Sequence, residues 1–230
     1  MTETIDTPSF DHTRAPTQIY LISPTEVGGD FPERLARALD AGLKGRHRIA
    51  AFQFRVKGVD DHAAARLAEP LQKICGEREI AFIVNDSITL AKRLGADGVH
   101  LGQDDLAREG GVKVARAELG SEAQIGVTCH GSRHLALEAG ETGADYVAFG
   151  AFYPSTTKDV EHQAELDLLT WWQGLFEIPC VAIGGITADN VAPLVRAGAD
   201  FIAVSGGVWQ GDEVANILAL TEAIRAAFEG

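Results

Sequence analysis

Apolar residues in this chain fall into short blocks, each followed by a stretch in which they return every three or four positions. The blocks are Gln18–Ser23, Ile49–Lys57, Ile80–Val84, Gly98–Leu101, Ala123–Thr128, Asp145–Gly150, Cys180–Ile183 and Phe201–Val204, and each predicts a strand. The periodic stretches predict helices over Phe31–Leu43, Asp61–Glu77, Ile88–Leu94, Val112–Leu119, the segment carrying Leu135, Leu137 and Ala139, then Leu166–Phe176, Ala188–Ala197 and Glu213–Phe228. Gly95 falls where a helix C-cap is needed, Ser132 can cap the helix after strand five, and Ala64, Leu67, Leu71 and Ile74 form the expected buried stripe of the second helix. Eight strand-then-helix units in 230 residues predict the α/β class and a single-domain (β/α)8 TIM barrel over residues 18–230, with residues 1–17 as a disordered N-terminal extension.

A short repeat supports this order. Gly-Ala-Asp recurs at Gly95–Asp97, Gly143–Asp145 and Gly198–Asp200, each time closing a helix just before a strand. Those aspartates belong at the end of the barrel opposite the strand C-termini and are poor catalytic candidates.

One block breaks the apolar pattern. From Phe52 to Lys57 the residues alternate, with Gln53, Arg55 and Lys57 on one face and Phe52, Phe54 and Val56 on the other. Strands in a parallel barrel are covered on both faces, so inward polar residues near a strand end call for a polar ligand.

The densest stretch is Ile83–Asp105. Two strands with a helix between them stop at Asn85-Asp86 and at Gly102-Gln103-Asp104-Asp105, which sets Asp86 and Asp105 at the same edge of the sheet. Such a pair suits Mg²⁺, which takes one or two carboxylates together with substrate phosphates. It also suits helix capping, by Asp86 before a helix starting near Ser87 and by Asp105 before one starting near Leu106.

Collecting the polar residues at all the strand C-termini gives Gln53, Arg55, Lys57, Asn85, Asp86, Asp105, Thr128, His130, Ser155, Thr157, Lys158, Gly185, Ser205 and Gly206. Active sites of this fold are built from that edge, and the glycine-rich loops after strands seven and eight, Gly184-Gly185 and Ser205-Gly206-Gly207, stand where its phosphate sites form. Arg55, Lys57 and Lys158 against two aspartates indicate a metal-bound pyrophosphate, and the glycine loops indicate a second, monophosphorylated moiety.

The charge of −13 and pI near 4.9 oppose non-specific binding to nucleic acid or an anionic membrane, leaving small molecules as partners. No apolar run is long enough to span a membrane, and the polar start lacks a signal peptide's apolar core, so a cytoplasmic location is expected. Cys75, Cys129 and Cys180 lack metal-type spacing and read as reduced thiols. Cys129 and His130 are adjacent on an extended chain and point apart, which disfavours a nucleophile–base pair. His100, in mid-strand, reads as core, and His130 as structural or substrate-packing. A homodimer is left open.

Gln53-Phe54-Arg55-Val56-Lys57, Asn85-Asp86, Gly98 to Asp105 (GVHLGQDD), Thr156-Thr157-Lys158 and Ala182-Ile183-Gly184-Gly185-Ile186 together resemble the signature of the thiamine-phosphate synthase family, in the same order, from about Gln18 onward. The resemblance implies a transferase that joins hydroxymethylpyrimidine pyrophosphate to hydroxyethylthiazole phosphate, in its plain or carboxylated form, and releases pyrophosphate through a dissociative, carbocation-like reaction. It implies Mg²⁺ on Asp86 and Asp105, and pyrophosphate on Arg55, Lys57, Asn85 and Lys158, of which Arg55, Lys57 and Lys158 are the catalytic candidates. It places Gln53 on the aminopyrimidine, Thr128 beside the departing group, and Ser155, Thr156, Thr157, Gly185, Ser205 and Gly206 on the thiazole phosphate. Tyr153, Ser155 and Gly206 depart from the usual Phe, Thr and Ser. Two alternatives remain: a thiazole tautomerase with His130 as base, which has no need of the pyrophosphate and metal residues, and a non-catalytic phosphate-binding barrel.

Overall fold

The structure is a computed structural model that describes residues 15–43, 47–154 and 163–230. Eight parallel strands close on themselves in chain order: β1 (Gln18–Ile22), β2 (Ile49–Phe54), β3 (Ala81–Asn85), β4 (Gly98–Leu101), β5 (Gln124–His130), β6 (Tyr146–Phe149), β7 (Cys180–Ile183) and β8 (Phe201–Val204), with β8 paired to β1. Around them run α1 (Phe31–Gly42), α2 (Asp61–Gly76), α3 (Ile88–Leu94), α4 (Gln103–Glu109), α5 (Val112–Leu119), α6 (Arg133–Thr142), α7 (Leu166–Gln173), α8 (Ala192–Ala197), α9 (Gly206–Trp209) and α10 (Glu213–Glu229). The (β/α)8 barrel read from the sequence is therefore observed.

Period-two alternation divides the core into two layers. Ile19, Leu21, Phe52, Phe54, Phe82, Val84, Val99 and Leu101 face outward onto the helices. Tyr20, Ile22, Ala51, Ile83, Tyr146, Ala148, Val181 and Ala203 fill the barrel itself. Small residues in that inner layer leave room for large polar ones. A β-carbon on Gly126 would lie 1.9 Å from Cζ of Tyr146, so the tyrosine ring lies against bare backbone.

The Gly-Ala-Asp repeat is a staple at the N-terminal end of the barrel. Gly95, Gly143 and Gly198 all end their helices with left-handed backbone, at φ of 58°, 95° and 110°. Asp97, Asp145 and Asp200 then accept the N–H of Phe82, Ile125 and Cys180 at 2.7, 2.6 and 2.8 Å, tying each turn to the neighbouring strand.

Several boundaries differ from those the pattern predicts. β2 ends at Phe54 instead of Lys57, because Ser23 Oγ takes the Arg55 N–H at 2.8 Å and draws the chain off the sheet. Thr17, assigned to the lead-in, is buried and donates to the Ala199 carbonyl. On α2 the fully buried stripe is Ala64, Ala65, Ala68, Leu71 and Cys75, while Leu67 and Ile74 are half-buried. On α6 it is Ala136 and Ala139, and Leu137 is exposed. α8 starts at Ala192, because Asn190 Oδ1 closes a turn on the Thr187 N–H ahead of it. α4 starts at Gln103, ahead of the start near Leu106, and the four-residue α9 is an additional element, too short to show a period.

Candidate active site

Every strand's C-terminus opens on one face, and a chain of charged groups crosses part of it. Lys57 Nζ lies 2.5 Å from Asp86 Oδ2, Asp86 is hydrogen-bonded to Asp105, and Asp105 Oδ1 lies 2.8 Å from Arg108 Nη2. Arg108 also donates to the Asp86 carbonyl at 3.2 Å. The predicted meeting of Lys57, Asp86 and Asp105 is thus present. Arg108, which the sequence reading missed, joins it through the i, i+3 spacing from Asp105.

Neither aspartate caps a helix. Ser87 Oγ accepts from Leu90 N at the start of α3, and α4 begins at Gln103 behind Gly102, two residues before Asp105. Asp86 holds a left-handed backbone, φ 68°, fixed by its N–H donating to the His100 carbonyl at 2.9 Å. Non-glycine residues in that region carry strain and cluster at functional sites.

Burial works against charge on Asp86, but the hydrogen bond from Asp105 and the Lys57 ammonium outweigh it and hold its carboxyl below the usual range. Burial pushes Asp105 up, the hydrogen bond and charge of Asp86 push it further, and Arg108 offsets only part of this. The two carboxyls are thus pulled apart, Asp86 the readier to ionise and Asp105 the more reluctant. Among the described residues no group of three or more His, Cys, Asp or Glu side chains could cage a metal alone. A pair of hard oxygen donors fits Mg²⁺, which completes its shell with water and substrate oxygens.

Below the mouth, polar side chains meet inside the barrel. Gln53, buried on β2, donates through Nε2 to Tyr20 Oη at 3.1 Å, and Tyr20 Oη lies 2.8 Å from Tyr146 Oη. Tyr146 Oη lies 3.1 Å from His100 Nδ1, and His100 Nε2 lies 2.8 Å from Thr128 Oγ1. His100 is buried as expected, but among polar partners in the inner layer. Burial lowers its pKa to about 4, with only a partial upward pull from Asp86, so the ring is neutral. Burial also raises Tyr20 to about 12 and Tyr146 well above 10.0, which keeps both hydroxyls protonated. Gln103, from α4, clamps the Thr128 carbonyl through Nε2 at 2.5 Å.

Across the mouth lie the glycine loops. Gly185 has φ 62°, and a β-carbon there would meet the Pro154 carbonyl at 2.3 Å. Asn190 Nδ2 accepts nothing and donates to the Gly185 carbonyl at 2.9 Å, while Tyr153 Oη donates to the Asn190 carbonyl at 2.7 Å. Gly207 packs against the Ile186 carbonyl, so the two loops touch. Ser205 Oγ donates to the Ser23 carbonyl at 3.3 Å, and Gly206 opens α9. Arg55 and Asn85 are half-buried, Arg55 just after β2 and Asn85 at the end of β3. Ser155, Thr156, Thr157 and Lys158 lie outside the described residues.

His130 sits at the end of β5 with φ 51°, after a register shift that leaves Cys129 as the extra residue. Cys129 is buried in the outer layer and burial raises its thiol to about 12, which removes it as a nucleophile.

A family model described as thiamine monophosphate synthase matches residues 19–208. The thiamine-phosphate synthase of Erythrobacter litoralis is 66% identical over 217 residues, covering 94% of this chain and 99% of that protein. That of Rhodospirillum centenum is 50% identical over 193 residues, covering 84% of this chain and 89% of that protein. Among solved structures, a thiamine phosphate pyrophosphorylase from Pyrococcus furiosus superposes with a TM-score of 0.76 at 28% identity, over 94% of this chain and 98% of that one.

Proposed function

This chain belongs to the thiamine monophosphate synthase family, and from that premise we propose that it couples hydroxymethylpyrimidine pyrophosphate to hydroxyethylthiazole phosphate, giving thiamine phosphate and pyrophosphate. The observation that carries this reading is the Lys57–Asp86–Asp105 cluster facing two contiguous glycine loops at one barrel mouth. A tautomerase has no use for the charged cluster, whereas release of a pyrophosphate does.

The chemistry needs a stabilised leaving group and a well-placed acceptor more than it needs a base. The methylene C–O bond breaks with its electron pair leaving on pyrophosphate, and the thiazole nitrogen lone pair then forms the C–N bond. Asp86 and Asp105 would hold Mg²⁺, which when bound supplies charge for the departing oxygens. Lys57, with Arg55, Asn85 and Lys158, would bind the pyrophosphate and neutralise its growing charge. Gln53 would hold the aminopyrimidine at the barrel floor, with Thr128 beside the leaving group. Gly185, Ser205 and Gly206, with Ser155, Thr156 and Thr157, would seat the thiazole phosphate so that its ring nitrogen faces the methylene carbon.

No helix among the described residues is long and apolar enough to cross a membrane. The reading is tested by incubating both substrates with the protein, in Mg²⁺ or in EDTA, and measuring thiamine phosphate as thiochrome fluorescence. Metal-dependent product that is lost in Asp86→Ala and Lys57→Ala is expected. Folded protein that makes no product under any condition would overturn it.

A further inference from the structure

The orientation of the Gln53 amide gives the five-residue chain inside the barrel its direction. The side-chain nitrogen of Gln53 is only a donor, and it donates to Tyr20 Oη at 3.1 Å. A phenol has one proton to give, and the near neighbour left to receive it is Tyr146 Oη at 2.8 Å. Tyr146 must then pass its own proton on, to His100 Nδ1 at 3.1 Å. A neutral imidazole that accepts at Nδ1 carries its hydrogen on Nε2, which donates to Thr128 Oγ1 at 2.8 Å. Both ends are left with one defined function. Gln53 keeps a bare Oε1, to which no described residue donates, and Thr128 keeps a hydroxyl proton that His100 does not use. Turning the Gln53 amide over would reverse every link.

We propose that Tyr20, Tyr146 and His100 form a one-way hydrogen-bond relay that sets Gln53 as an acceptor and Thr128 as a donor, and that this polarity selects an aminopyrimidine over an oxopyrimidine. The proposal rests on the reaction assigned above and deepens it. An exocyclic amine has protons to give and meets the bare amide oxygen. Pyrophosphate oxygens have only lone pairs and meet the spare Thr128 proton. The reversed relay serves neither, since it sets N–H against N–H at Gln53 and spends the Thr128 proton on His100. An oxo group in place of the amine sets oxygen against oxygen, and a buried polar group left unpaired is what makes such discrimination steep. Tyr20, Tyr146 and His100 are positioning residues here, acting through Gln53 and Thr128.

Gly126 is part of the device, because only bare backbone leaves space for the Tyr146 ring. His100 is held by stacking as well, with its ring 5.6 Å from that of Tyr146 and 25° from parallel. A relay built for bulk alone would need neither the matched hydroxyls nor a fixed tautomer.

Two measurements test the relay. In full-length protein labelled with nitrogen-15 histidine, with His100 assigned by its absence in His100→Asn, the expected spectrum shows a protonated Nε2 and a bare Nδ1. In steady-state assays, the ratio of kcat/KM for the aminopyrimidine pyrophosphate to that for its oxo counterpart should fall about tenfold or more in Tyr146→Phe, the order of one misdirected hydrogen bond. The KM for thiazole phosphate should not change, which a general loss of structure would not spare. A protonated Nδ1 in the wild-type protein, or folded Tyr146→Phe with wild-type discrimination, would overturn the relay. A wild-type protein inactive on both pyrimidines would overturn the assigned reaction instead, and the His100 spectrum would still decide the relay.

Discussion

Replacing Gly126 by alanine inserts one methyl group where the barrel has no room for it. The new carbon would lie 1.9 Å from Tyr146 Cζ, 2.2 Å from Cε2 and 2.3 Å from the hydroxyl oxygen. Carbon atoms in contact sit about 3.5–4.0 Å apart, so the ring must retreat by roughly 1.5 Å or more. That motion breaks the bonds of Tyr146 to Tyr20 and His100, which start at 2.8 and 3.1 Å. Overpacking a close-packed interior costs about 1–3 kcal/mol and each buried hydrogen bond about 1 kcal/mol, which gives a destabilisation of roughly 3–5 kcal/mol. For a chain of this size that is a fall of about 10 °C in Tm. The backbone at Gly126 is ordinary strand, so the cost comes from the ring and not from φ. Urea unfolding of Gly126→Ala, Tyr146→Ala and the double variant separates the two. Alanine at 126 should cost almost nothing once the ring is gone. A single variant within about 0.5 kcal/mol of wild type, or an equal cost in both backgrounds, would refute the packing argument.

Glu213, buried at the start of α10, accepts from Arg34 Nε at 3.0 Å and Arg37 Nη2 at 2.6 Å on α1. Glu213→Gln should lower stability at neutral pH by about 2 kcal/mol in urea titrations. Burial raises the Glu213 pKa but the two arginines hold it below the usual value, so its contribution is present above the unfolded carboxylate range and fades as pH falls through the folded pKa. The gap between wild type and variant should therefore close in acid, and a gap that widens there would contradict the assignment. Asp200→Ala removes the acceptor for Cys180 N and for Gln173 Nε2 at 2.8 and 2.7 Å, and should cost about 2–3 kcal/mol in chemical unfolding while leaving kcat and KM of the folded protein unchanged. Gly185→Ala forces a β-carbon onto the Pro154 carbonyl at a positive φ, and should raise the KM for thiazole phosphate tenfold or more, on the order of 1.4 kcal/mol, with a smaller effect on the pyrimidine substrate. Equal changes in both KM values would place the glycine loop outside the phosphate site.

Periodic patterning and glycine-closed helix ends were legible along the chain. Strands covered on both faces need continuous apolar blocks, and a helix that ends in left-handed backbone wants glycine, so the eight units and the Gly95, Gly143 and Gly198 caps could be read directly. Parallel closure then set every strand end on one face, which is why Lys57, Asp86 and Asp105 could be grouped before any coordinates. Short-range competition was not legible. Whether Asp86 or Ser87 caps α3, and whether α4 starts at Gln103 or Leu106, turns on which side chain reaches a given N–H, and periodicity carries no such information. The relay was hidden for a different reason. Tyr20 and Tyr146 stand 126 positions apart, on strands that never pair, and meet only because the closed barrel turns both side chains into one small interior beside Gly126. The sequence by itself determined that Lys57, Asp86 and Asp105 share one end of the barrel. The tertiary structure decided which side chains touch, and in which direction their protons run, because those depend on distances across the barrel and not along the chain.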